Sequence, residues 1–151
     1  MAQPYTAPRF LGMASRPTGG SPEMLLFVYG TLRRDAANHR ELRDATFIGR
    51  ARTQPKYELV DMGGYPALLE GGADAVVGEV YEIPGALLAA LDAFEEVPEL
   101  YQRKDIAIDH VSSATSGQRV LGPTIEAYVM TRERAKRAPR LANGDWIACS
   151  H

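Results

Sequence analysis

The chain has 151 residues, of which 45% are hydrophobic and 24% charged, enough apolar material for one domain with its own core. Its 17 Lys and Arg against 19 Asp and Glu give a net charge of -2, which argues against a general nucleic-acid binder, normally a basic protein. The lone cysteine, Cys149, excludes an internal disulfide and a cysteine-based structural zinc site.

Residues 1–22 are rich in Pro, Gly, Ser and Thr without a period and read as a flexible leader to a single domain over 23–151. Pro4, Pro8, Pro17 and Pro22, with Arg9 and Arg16, break up any apolar segment of a secretory signal. No stretch approaches the ~20 apolar residues of a membrane span, so the expectation is a cytoplasmic protein without a membrane partner. Met24 to Tyr29 is a continuous apolar run ending at Gly30, the pattern of a strand buried on both faces. A short polar helix is predicted over 38–45, then strands over 46–53 and 57–62 separated by Pro55. Gly63-Gly64 turns into a strand over 65–69, and Gly71-Gly72 into one over 76–83. Gly85 to Glu96 has the one good helical pattern, with Leu87, Leu88, Leu91 and Phe94 on one face, and Pro98 ends it. Alternation returns over 101–111 and 120–131, separated by a polar loop, and a basic tail turns at Asn143-Gly144. Many strands with one or two helices predict an α+β fold, a small mixed β-barrel or sandwich with helices packed on it.

Phosphate-loop, dinucleotide and nucleophile-elbow motifs are missing, and His39, His110 and His151 have no metal-ligand spacing and read as exposed or hydrogen-bonded side chains. The cluster Arg132, Arg134, Lys136, Arg137 and Arg140 is diluted by Glu133 and lacks interleaved aromatics, so it reads as a solvated face. Two features remain. Tyr29-Gly30-Thr31-Leu32 closes a buried strand. It is either a plain turn or a set of free backbone N–H groups suited to a carboxylate or an oxyanion. Glu95 is the second. At about 100° per residue it lies roughly 50° from the centre of the helix's apolar face, against roughly 110° for Asp92 and 150° for Glu96. A carboxylate there either pairs with a cation such as Arg103 or has a raised pKa, as a general acid/base needs.

Together, Tyr29-Gly30-Thr31-Leu32 and the pattern from Leu91-Asp92-Ala93-Phe94-Glu95 through Pro98, Tyr101 and Arg103 resemble the γ-glutamylcyclotransferase-like family. Gly63-Gly64-Tyr65-Pro66-Ala67, Val77 to Tyr81 and Gly144-Asp145-Trp146 are similar as well, closest to the γ-glutamylamine cyclotransferase and AIG2-like branch. The resemblance implies a mixed β-barrel with flanking helices. It also implies an enzyme that releases 5-oxoproline from a small γ-glutamyl substrate, without cofactor or metal. By the same resemblance Glu95 is the catalytic acid/base, Tyr29, Gly30, Thr31 and Leu32 form the γ-glutamyl pocket, and Tyr128 contacts substrate. Glu96 departs from the small residue usual at that position. A non-catalytic small-molecule binder of the same fold is the alternative, against which the retained Glu95 argues.

Overall fold

The computed structural model describes residues 24–34, 36–113 and 124–146, so the leader over 1–22, Cys149 and His151 lie outside the described residues. Among the described residues eight strands form one mixed sheet: β1 (Met24–Val28), β2 (Thr46–Thr53), β3 (Tyr57–Asp61), β4 (Pro66–Glu70), β5 (Val77–Ile83), β6 (Gln102–Asp105), β7 (Ile108–Ser113) and β8 (Ile125–Val129). The order across the sheet is β3-β4-β8-β1-β5-β2-β7, with β6 also paired to β8. It curls as a half-barrel that carries, among the described residues, one helix, α1 (Gly85–Phe94), and one 3-10 turn over His39–Leu42 where a short helix was expected. No described helix is long and apolar enough to cross a membrane.

The apolar run at the start is a central strand for the reason its composition gives. β1 lies between β8, parallel, with Leu25 opposite Ile125, and β5, antiparallel, with Leu26 opposite Tyr81. Successive side chains of a strand point to opposite faces. Leu26 and Val28 therefore enter one core with Leu87 and Leu91 of α1, and Leu25, Phe27 and Tyr29 enter a second with Leu59, Leu68 and Val80. A residue that alternated with polar ones would have left one of these cores open.

The segment over 101–111 is two strands, not one. Ile106 turns inward and its N–H bonds the Ile125 carbonyl, while β7 leaves to pair with β2 at Ala51–Val111. The helix ends at Phe94, two residues before the expected limit. Glu95 still donates its N–H to the Leu91 carbonyl, but Glu96 has a φ of 57°, the left-handed conformation that terminates a helix. Glycine takes that conformation at least cost, which explains why a small residue suits the position and why Glu96 is the departure. Phe94, assigned to the apolar face, is instead 40% exposed, because the helix has run past the core by its last turn.

Candidate active site

Strand β8 uses one edge for two neighbours. Leu25 and Leu26 of β1 pair with its start, and Leu68 of β4 pairs with Val129 at its end. Between them the sheet splits, and the Tyr29 hydroxyl fills the split: it donates to the Tyr128 carbonyl at 2.6 Å and accepts the Leu68 N–H at 3.3 Å. A buried backbone pair that would lack partners is satisfied by one side chain. Beyond the split opens a cavity of about 350 Å³. Gly30 borders it where no side chain fits, since a Cβ there would stand 2.4 Å from Pro66 Cγ.

The loop after β1 is wired through its carbonyls. Gly30 O accepts from Arg33 N, Thr31 O from Asn38 N, and Leu32 O meets His39 Nδ1 at 2.9 Å. Among the described residues, no protein acceptor takes the N–H groups of Gly30, Thr31 or Leu32. Beneath the loop, Arg33 is buried and pairs with Asp145 at 2.7 Å and Glu79 at 3.8 Å. Glu79 also accepts the Arg34 N–H and the Tyr81 hydroxyl, both at 3.0 Å. A buried charge is tolerated when paired in this way, and breaking such a set leaves it uncompensated. The loop that carries these three donors is therefore fixed from below.

Glu95 borders the same cavity, as do Tyr29, Tyr101 and Tyr128. Among the described residues no cation lies within ion-pair distance of its carboxylate. Arg103, the partner weighed for it, is taken by Asp92 at 3.1 Å and Glu126 at 2.8 Å. Burial, and then the charge of Glu96, push the Glu95 carboxyl up to about 7. Burial likewise raises the three tyrosines, reinforced at Tyr101 by Glu95 and at Tyr128 by its hydrogen bond to Asp92, so all three hydroxyls stay protonated at neutral pH.

Every residue singled out for the site on sequence grounds thus borders one cavity: Tyr29, Gly30, Thr31, Leu32, Glu95 and Tyr128. Sequence reasoning missed what orients them. Asp92 accepts the Tyr128 hydroxyl at 2.7 Å and both Nε and Nη2 of Arg103 at 3.1 Å, tying α1 to β6 and β8. Tyr101 donates to the Pro66 carbonyl at 2.7 Å. The available signal was that Asp92 precedes Glu95 by three residues, one turn along the helix. The basic tail is the solvated face expected: Arg132 pairs with Glu58, Lys136 with Glu133 and Arg140 with Asp74, and all three basic side chains are half-exposed or more. Among the described residues, no group of three His, Cys, Asp or Glu side chains could hold a metal ion.

Residues 26–148 match the family described as Gamma-glutamyl cyclotransferase, AIG2-like. The human gamma-glutamylaminecyclotransferase is 40% identical over 119 residues, covering 72% of this chain and 78% of the human one. The protein of that name from Bos taurus is 44% identical over 115 residues, covering 70% and 64%. The crystal structure of an AIG2-like protein from Mus musculus superposes with a TM-score of 0.58 at 33% identity, covering 72% and 76% of the two chains. With that match over most of its length, the chain belongs to the AIG2-like γ-glutamyl cyclotransferase family of enzymes.

Proposed function

We propose that the protein cyclises γ-glutamyl amines to 5-oxoproline and a free amine, with Glu95 carrying the protons. The observation that carries this reading is a partly buried carboxyl held near neutral pKa, on the same cavity as three backbone N–H groups that, like it, have no ion-pair or hydrogen-bond partner among the described residues. A group of that pKa is divided between both forms at pH 7 and can act in both directions.

Glu95 as carboxylate takes a proton from the substrate's α-ammonium. The freed amine attacks the γ-carbonyl carbon and closes a five-membered ring, a step accelerated by holding the chain curled in the cavity. The N–H groups of Gly30, Thr31 and Leu32 receive the substrate carboxylate and the developing oxyanion, and their fixed orientation needs no rearrangement during the reaction. Glu95-COOH then protonates the leaving nitrogen as its bond to carbon breaks. In all, the ring nitrogen sheds two protons and the leaving nitrogen gains two, so the amine departs as its ammonium and the carboxylate is restored. Tyr128, held by Asp92, is a substrate contact on the wall facing Glu95's helix.

The test is release of 5-oxoproline from a panel of γ-glutamyl amines and γ-glutamyl amino acids by the purified, folded chain. Turnover of at least one amine is expected. Tight binding across the panel without 5-oxoproline would replace this reading with that of a non-catalytic binder.

A further inference from the structure

The described lining of the cavity holds two ionisable carboxyls, Glu95 and Glu96, and no lysine or arginine. The arginines that adjoin the lining in sequence are committed elsewhere. Arg33 is buried against Glu79 and Asp145, Arg103 binds Asp92 and Glu126, and Arg34 lies over the Phe47 ring at 4.3 Å. A γ-glutamyl substrate brings one carboxylate of its own, for which the Gly30 to Leu32 N–H groups are available. A second carboxylate, on the departing amine, would enter the cavity without a counter-charge and beside two acidic groups, an arrangement that like charges penalise.

Glu96 borders this space. It is exposed, and its left-handed φ of 57° is a costly choice for any residue with a side chain. Its charge reaches Glu95. Around it the lining is apolar, with Phe94 at 40% exposure and Leu100 partly buried, its N–H bonded to the Glu96 carbonyl. Alkyl surface ending in a carboxylate complements a methylene chain ending in a cation.

We propose that Glu96 selects the leaving group by charge: the amine released is an alkyl amine bearing a second positive charge and no carboxylate, its methylenes against Phe94 and Leu100 and its cation toward Glu96. The proposal rests on the cyclotransferase reading above and names the substrate class of that site. Glu96 is here a specificity residue that takes no proton from the reacting atoms.

The experiment compares kcat/KM for three γ-glutamyl amides of equal chain length, made from 1,4-diaminobutane, butylamine and 4-aminobutanoate. At low salt the cationic amide should lead the anionic one by about tenfold, with the neutral one between, and added salt should shrink the gap. Glu96→Gln and Glu96→Gly should each bring the cation-to-anion ratio within about twofold. Any effect of these substitutions on Glu95 is common to the three amides and cancels in the ratio. Equal kcat/KM values in the unsubstituted protein, or a preference that survives in either variant, would overturn the charge selection while 5-oxoproline release kept the cyclotransferase reading intact. Failure of all three amides while another γ-glutamyl compound of the wider panel yields 5-oxoproline would overturn the charge selection alone, and failure of the whole panel would overturn both.

Discussion

Replacing Glu95 by Gln should make the protein more stable and inactive, and the stability gain should depend on pH in a defined way. The carboxyl moves from an ordinary 4.5 in the unfolded chain to about 7 in the fold. That difference corresponds to a penalty of up to ~3 kcal/mol for the ionised form. Below about pH 4.5 both states hold the proton and the group contributes nothing. Between about 4.5 and 7 the native state keeps a proton that the unfolded chain has released, so stability falls as pH rises, and the full penalty is present above 7. Gln is neutral throughout and occupies nearly the same volume. Urea unfolding of both proteins from pH 5 to pH 8 should show a gap that opens with pH, Gln being the more stable by ~2–3 kcal/mol at pH 8. The same variant should lose at least ~100-fold in 5-oxoproline release, and kcat/KM of the unsubstituted protein should fall as pH drops below about 7. A gap that does not change with pH, or a Gln variant less stable at pH 8, would refute the account of Glu95 as a desolvated, unpaired carboxyl.

Three further outcomes follow from the geometry. Gly30→Ala places a Cβ 2.4 Å from the Pro66 ring, which cannot swing aside, so thermal stability and turnover should both drop sharply. Tyr128→Phe removes the hydroxyl bonded to Asp92 at 2.7 Å, but Arg103 still satisfies that carboxylate. The cost in stability should be ~1 kcal/mol, with KM rising more than kcat falls. Glu96→Gly relieves the left-handed φ of 57° and should raise stability by ~1 kcal/mol. It also removes a neighbouring negative charge from Glu95, so the acid limb of the kcat/KM profile should move to lower pH.

The parts of this molecule legible in its sequence are those governed by local rules. The two-faced burial of β1 follows from an unbroken apolar run, and the turn after it from Gly30. The helical wheel turned Glu95 toward the core and the family resemblance made it the acid/base; it borders the cavity, although Phe94, on the same wheel, came out exposed. The wheel treats a helix as infinite, and Phe94 is its final residue. What stayed hidden depends on pairings between distant strands. Nothing local tells Arg103 to choose Asp92 and Glu126 over Glu95, because that choice is set by β6 lying against β8 with Arg103 opposite Tyr128. The same holds for the Tyr29 hydroxyl, whose two partners lie 99 and 39 residues away.

Those separations bear on the order in which the protein is made. Met24 to Val28 leaves the ribosome about a hundred residues ahead of Ile125 to Val129, the neighbour that covers one of its edges. Until then an apolar central strand has an open edge, a template for pairing with another nascent chain. Tyr29 meanwhile lacks the carbonyl it will bond. β5 can cover the opposite edge much sooner, through its antiparallel register with β1. Assembly should therefore proceed from a β1–β5 hairpin-like pair toward β8, the strand that brings Tyr128 to the cavity wall.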